Sequence, residues 1–374
     1  MGNIFEEYFG ELPDPRVERT KRHKLLDIVA IAICGVLCGA DNWVEIEQFG
    51  QAREAWLREF LELPNGIPSH DTFGRVFGRL DAEAFGDCFM DWVRAVYSLT
   101  AGQVVAIDGK TMRGSADKTN GKAALHVVSA WASANQMVLG QVAVNDKSNE
   151  ITAIPELLGL LVIQGCIVTV DALGCQKKIA QAIRDAKADY VLRVKANQGH
   201  LYQDLEAWFV YAQQTGFAAM THSHEHVVGK DHGRRESREC WVVSDPVAFE
   251  YIRHYDGWPD LNSIAKVVRR RLVNHTPTTE TAYYISSLDN DASLLLTCSR
   301  SHWAIENSLH WVLDVAFGED DARYRQGDGA QNFALLRKLA LNLLRQDTTV
   351  NVGIKGKRLR AALDPNYLLH LLNQ

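Results

Sequence analysis

Two aspartates close short apolar runs in this chain. They stand in Val104-Val105-Ala106-Ile107-Asp108-Gly109 and in Ile167-Val168-Thr169-Val170-Asp171-Ala172. A carboxylate that is the first polar residue after a buried strand lies where ligand and metal sites of mixed α/β sheets gather. The same position also suits an ordinary turn or cap former. A third carboxylate, Glu306, lies in Arg300-Ser301-His302-Trp303-Ala304-Ile305-Glu306-Asn307-Ser308-Leu309-His310-Trp311. There Ile305, Leu309 and Val312 mark an apolar helix face, and the spacing predicts His302, Glu306 and His310 together on another. Three converging carboxylates would suit a pair of Mg²⁺ ions, hard cations that take oxygen ligands. Such a pair, about 4 Å apart, activates a water or a 3′-hydroxyl and stabilises the leaving oxygen in phosphodiester cleavage. The His-x3-Glu-x3-His spacing also admits zinc, although it lacks the H-E-x-x-H order. Gly109-Lys110-Thr111 resembles the end of a phosphate-binding loop, but Val104 stands where that motif needs its first glycine.

The elements that must position these groups are legible from periodicity. Three apolar runs, Val104–Ile107, Leu125–Ser133 and Met137–Val144, follow one another with short connections and predict an antiparallel meander. A helix over 150–161, a strand over 167–170, a helix over 176–186, a strand over 190–194 and a helix over 198–209 come next. The order βββαβαβα over 103–209 is that of the ribonuclease H fold, a mixed sheet flanked by helices. Residues 219–290 read as a β-rich insertion, and helices are predicted over 297–316, 330–345 and 358–372. Residues 20–98 read as all helical, with a short helix near 70–80 between two longer ones. His70, Thr72, Arg75 and Arg79 then point outward, as in a helix-turn-helix surface facing DNA. They also read as an ordinary solvated face. The expected organisation is a helical N-terminal domain (1–100), an α/β core in two parts (101–218 and 291–346) around the insertion (219–290), and a basic C-terminal tail and helix (347–374).

Composition bounds the rest. The 374 residues are 47% hydrophobic and 23% charged, ordinary for a folded globular chain. Lys+Arg 40 against Asp+Glu 46 gives a charge of −6, which argues against coating nucleic acid by bulk charge. Local basic patches exist nonetheless, at Lys266/Arg269/Arg270/Arg271, at His232/Arg234/Arg235, and at Lys355/Lys357/Arg358/Arg360. Each reads alone as a solvated face; three around one carboxylate centre read as phosphate contacts. The apolar stretch from Ile28 to Ala40 is too short to span a bilayer and predicts a buried helix. The seven cysteines are scattered without a CxxC pair and are expected as free thiols in the cytoplasm. Trp303 and Trp311 are expected in the core, the alternative being that one of them stacks against a displaced base.

Longer strings carry a resemblance. Ala106-Ile107-Asp108-Gly109-Lys110-Thr111-Met112-Arg113-Gly114-Ser115, Thr169-Val170-Asp171-Ala172-Leu173-Gly174-Cys175-Gln176, Val194-Lys195-Ala196-Asn197-Gln198-Gly199 and the segment His302 to Val315 resemble transposases of the ISAs1 family. That family includes the H-repeat-associated proteins linked to Rhs elements, and the likeness runs from Gly66 to Leu368. It implies a DDE transposase with Asp108, Asp171 and Glu306 as the catalytic, metal-holding triad. It also implies Mg²⁺, with Mn²⁺ able to substitute. In IS4-like relatives the last carboxylate helix carries a Tyr-Arg-Glu-Lys signature; here Ser299, His302 and Leu313 take the Tyr, Arg and Lys places.

These readings set the expected function: cleavage of double-stranded DNA at the terminal inverted repeats of an insertion element, then strand transfer into target DNA. The chain is expected in the bacterial cytoplasm, at the nucleoid when bound to DNA, with no membrane partner and as a homodimer in the complex that pairs two ends. The residues expected to touch DNA are Lys110, Arg113, Lys195, Asn197, Gln198, His232, Arg234, His302, Asn307, His310, Arg75, Arg79, Lys357 and Arg358. Two other readings remain: a catalytically silent DNA-binding remnant, and a stand-alone nuclease of the same fold.

Overall fold

Apolar periodicity builds five N-terminal helices: α1 (Ile4–Phe9), α2 (Leu25–Leu37), α3 (Trp43–Leu57), α4 (His70–Phe77) and α5 (Ala82–Val96). The structure, a computed structural model, describes residues 4–117, 121, 123–144, 149–231, 234–273 and 276–373. Side-chain oxygens cap two of the helix starts: Asn42 accepts from the Glu45 N–H, and Asp81 from those of Glu83 and Ala84. α2 carries the apolar stretch and is buried from Asp27 to Leu37. Among the described residues no helix is long and apolar enough to cross a membrane. All seven cysteines are free.

The strands are β1 (Val104–Met112), β2 (Leu125–Ala132), β3 (Met137–Val144), β4 (Ile167–Val170), β5 (Asp189–Val194), β6 (His222–Asp231), β7 (Arg234–Val243), β8 (Ser263–Val273) and β9 (Thr276–Ser286). Among the described residues they form one mixed sheet of nine strands in the order β3-β2-β1-β4-β5-β9-β8-β7-β6. β1 pairs antiparallel with β2 and parallel with β4, and β4 is parallel to β5. Two features depart from the sequence reading. β1 does not end at Asp108 but stays paired with β2 as far as Met112 opposite Leu125. The β-rich insertion does not stand apart: β9 pairs antiparallel with β5, so the insertion continues the sheet. An uncovered β5 edge would leave a row of unpaired backbone groups, and β9 satisfies them.

The remaining helices are α6 (Glu150–Leu160), α7 (Lys177–Asp185), α8 (Gly199–Gln214), α9 (Pro246–Tyr251), α10 (Ala292–Ile305), α11 (Trp311–Phe317), α12 (Gly329–Gln346), α13 (Ile354–Leu363) and α14 (Pro365–Leu372). The single helix predicted over 358–372 is two, because Pro365 cannot continue α13 but suits the first turn of α14, which Asp364 caps through the Asn366 N–H.

α12 decides how the parts meet. Nearly every residue from Gly329 to Leu344 is buried, as expected of a helix enclosed on all sides. Its polar side chains are stitches. Asn332 donates to the Phe77 and Leu80 carbonyls, and Lys338 donates to Ser129 Oγ at 2.8 Å. Asn342 both accepts from the Val138 N–H and donates to its carbonyl, covering the β3 edge. One apolar core therefore runs from Phe5 in α1 through the sheet to Leu372 in α14.

Candidate active site

Register brings the two aspartates side by side. Ile107 pairs with Val170 on the parallel strand, so Asp108 and Asp171 follow at the same level. Asp171 then turns the chain: its Oδ1 accepts from the Leu173 and Gly174 N–H groups at 2.9 and 3.2 Å. Asn197 Nδ2 donates to the Ala172 carbonyl and Gln198 Nε2 to that of Cys175, each at 2.7 Å. Both amides, expected on DNA, hold the Asp171 loop instead.

Glu306 arrives on an irregular helix. Between α10 and α11 the residues Glu306–His310 form a π-helical turn, a rare feature that concentrates at functional sites. The extra residue in this turn shifts His310 relative to His302 and Glu306, which stay one α-helical turn apart. His302 is buried with its Nδ1 3.2 Å from Thr169 Oγ1, whereas Glu306 is exposed. His310 is turned inward, its Nδ1 3.5 Å from Asp108 Oδ2 and its Nε2 buried without a partner among the described residues. The His-Glu-His set therefore assembles no zinc site, and neither imidazole is an open phosphate contact.

The electrostatics single out Asp108. Burial, then the nearby charge of Asp171, with lesser contributions from Glu150 and Glu306, pushes its carboxyl up to about 7 against the backbone bond at Gly109. Burial, then Lys110 and Lys338, holds His310 down to about 3, so this neighbour is uncharged and neutralises nothing. Burial likewise lowers His302 to about 4. Among the described residues no three ligand-type side chains are already gathered around one point. The charges of Asp171, Glu150 and Glu306 nevertheless all push Asp108 toward its protonated form, and such a set of hard oxygens fits divalent ions of the Mg²⁺ kind.

Beside Glu306 opens a cleft of about 580 Å³ lined by Arg193, Arg238, Arg269, Arg271 and Arg300, with Trp303 and Asn307. Arg238, Arg269 and Arg271 come from neighbouring strands of the insertion and all pair with Glu236, whereas Arg193 comes from β5 and Arg300 from α10. Arg193, 8% exposed, pairs with Glu280 at 2.7 Å and lies 5.1 Å from the Trp303 ring centre, its Nε unpartnered. Arg300 is exposed. The expected core tryptophans are not core: Trp303 is 36% and Trp311 59% exposed. Sequence reasoning missed Arg193, Arg238 and Arg300. The available signal was an arginine inside the apolar run Tyr190-Val191-Leu192-Arg193-Val194, a place where a charge needs a reason.

The other predicted contacts divide. Arg75, Arg79, Lys195 and Asn307 are exposed, as is Arg113, whose Nε lies 3.9 Å from Asp320. Lys110 is not free: it pairs with Asp314 and Glu319. Lys357 and Arg358 are buried, 7% and 4% exposed. Lys357 donates to the Leu344 and Asp347 carbonyls, and Arg358 to the Val36, Ala40 and Ala316 carbonyls. These two residues are thus staples closing the fold, each charged head satisfying carbonyls at or near helix ends, while Lys355 and Arg360 of the same cluster are exposed. His232 lies outside the described residues, and of Arg234 only the backbone, in β7, is described.

Comparison with known proteins bears on this arrangement. The family described as "Transposase DDE domain" matches residues 100–343, and one described as "DDE_Tnp_1-associated" matches residues 6–93. The "Putative transposase YncI" of Escherichia coli O157:H7 is 42% identical, the match covering 98% of this chain and 93% of that one. The "H repeat-associated putative transposase YhhI" of Escherichia coli strain K12 is 40% identical over 98% of this chain and 97% of its own. Among solved structures, the piggyBac transposase synaptic complex with hairpin DNA aligns with 99% of this chain and 77% of that one, at 12% identity and a TM-score of 0.42.

Proposed function

The chain belongs to the family of transposases with a DDE domain, and on that premise we propose that it cuts DNA strands at the ends of its element and joins them to a target. The observation that carries this reading is Asp108, level with Asp171 on the parallel strand and pushed up by burial and by the charges of Asp171, Glu150 and Glu306, with Glu306 itself lining an arginine-rich cleft. In this reading β1–β5 with their helices are a ribonuclease H-like core, supported by the order of an antiparallel β3-β2-β1 meander followed by parallel β4 and β5. The helical region up to Val96 takes the element end, presenting Arg75 and Arg79.

Asp108, Asp171 and Glu306 would hold a pair of divalent ions, Mg²⁺ or Mn²⁺ in its place. Such ions supply Lewis-acid activation of water or of a 3′-hydroxyl and stabilise the leaving oxygen. The Asp171 loop, fixed by Asn197 and Gln198, holds its carboxylate against drift. Arg193 and Arg300 draw the phosphates of the strand to be cut toward Glu306, and the exposed Trp303 face offers a surface on which a base can stack. Two element ends require two active centres, so a second copy of the chain joins the complex.

Incubation with DNA carrying both element ends, in Mg²⁺ or Mn²⁺, tests the proposal, with breaks mapped at nucleotide resolution. Breaks confined to the ends, leaving 3′-hydroxyls and absent in Asp171→Asn, are expected. Cutting without any requirement for element ends would indicate a stand-alone nuclease. End binding with no cleavage by either protein would overturn the enzymatic reading and leave a DNA-binding remnant.

A further inference from the structure

Asp108 and Glu306 can act together only if β1 is held against the helix that continues from Glu306. Lys110 makes that connection. It lies two residues beyond Asp108 on the same strand, hence on the same face of the sheet. Its ammonium pairs with Asp314 in α11 and, at 2.9 Å, with Glu319 Oε2 in the 3₁₀ turn that follows, and reaches the His310 carbonyl at 3.4 Å. The pairs are sheltered: the side chains of Lys110 and Glu319 are 13% and 2% exposed. Burial would raise the Glu319 carboxyl, yet Lys110, Arg337 and Lys338 hold it below its usual value.

The same network brackets Asp108 from across the sheet. Ser129 stands opposite Asp108 on β2, and its hydroxyl accepts from Lys338, whose charge also faces Glu319. His310 sits between, its ring near Asp108 and its carbonyl near Lys110. No phosphate is needed to explain where Lys110 points.

We propose that Lys110 is a positioning residue, a strut between β1 and α11 that sets the approach of Asp108 to Glu306, rather than a contact to DNA. The inference rests on the metal-holding role proposed above for those carboxylates. Partners that orient metal ligands from behind shift metal affinity by about tenfold to a hundredfold when removed.

The decisive variant is Lys110→Met with Asp314→Asn, which removes one charge of each sign and leaves Glu319 facing Arg337 and Lys338. Mn²⁺ binding to the purified full chain, read from the paramagnetic resonance of the free ion, should weaken about tenfold or more. Binding of element-end DNA should stay within about twofold, since no phosphate contact is lost. Unchanged Mn²⁺ affinity in the folded variant would overturn the proposal. So would a loss of DNA binding with metal affinity intact. If the double variant fails to fold, Asp314→Asn alone decides, because Lys110 keeps Glu319: a severalfold weakening of Mn²⁺ binding supports the strut and unchanged affinity overturns it. A wild-type chain that binds no Mn²⁺ would sink the metal reading itself, and the strut with it.

Discussion

The imidazole Nδ1 of His302 stands 3.2 Å from the Thr169 hydroxyl in the buried seam between α10 and β4. Thr169 lies two residues before Asp171, and His302 one helical turn before Glu306. A single buried hydrogen bond thus joins the supports of two of the three carboxylates. Lys110 joins the supports of the other pairing, Asp108 and Glu306.

That seam makes stability depend on acidity. Burial holds His302 down to about 4, below its ordinary 6.5. Between those values the unfolded chain takes up a proton that the folded chain refuses, so stability is full above about pH 6.5 and falls as the pH drops toward 4. Linkage sets the loss at no more than about 3 kcal/mol. Urea unfolding of wild type and His302→Gln at pH 7 and pH 4.5 checks this. The wild type should lose more of its stability than the variant; equal losses would refute the assignment.

Asp347 has the same sign at lower pH, for a different reason: here the folded state favours the charged form. It accepts from Tyr367 Oη and Thr349 Oγ1, each at 2.6 Å, and lies 3.5 Å from Lys357 Nζ. Burial opposes its charge, but these bonds win and hold its carboxyl down to about 2. Its contribution is present above the unfolded value near 3.8 and lost as the pH falls through 2. Asp347→Asn should lower stability by about 1–3 kcal/mol at pH 7, with the gap to wild type closing in acid unfolding series below about pH 4.

Arg300 lines the cleft and is exposed, so it is placed to meet a phosphate. Arg300→Ala should weaken binding to element-end and unrelated DNA alike and reduce the slope of log affinity against log salt by about 1. Filter binding across a salt series measures it; a selective loss on one sequence would assign Arg300 to base reading instead.

Two glycines of the β1 motif should respond differently to alanine. At Gly109 an added Cβ would meet Glu150 Oε1 at 2.3 Å and His126 Nε2 at 2.5 Å, the ends of two side chains that share a hydrogen bond of 2.6 Å. At Gly114 it would meet the Ala322 and Asp320 carbonyl oxygens at 2.3 and 2.7 Å. Side-chain ends can swing away; backbone cannot without moving the Glu319–Asp321 turn that Lys110 grips. Overpacking of this kind costs about 1–3 kcal/mol, and Gly114→Ala should fall at the upper end, above Gly109→Ala, in thermal melts of the two variants.

What the sequence determined by itself is what local spacing encodes. The apolar run of α2, the helix start at Asp81, the meander and the parallel strands after it, and the placing of Asp108 and Asp171 at strand level all follow from periodicity and capping over a few residues. The strings around Asp108, Asp171 and Glu306 were equally plain, because side-chain identity at fixed spacing survives any rearrangement of the rest. The tertiary structure alone decided which charges are free. Lys110, Lys357 and Arg358 look like solvated cations in a one-dimensional reading. Their partners are Asp314 and Glu319, far along the chain, for Lys110, carbonyls at the end of the preceding helix for Lys357, and carbonyls as far back as Val36 for Arg358. The π turn at Glu306 was invisible for a related reason: a helix of regular spacing gives no sign that one extra residue will be accommodated where Ile305 and Leu309 must both stay buried. The joining of β9 to β5, which places the arginines of the insertion beside Glu306, is a long-range backbone pairing, and it depends on which edge remains open after the first five strands have paired.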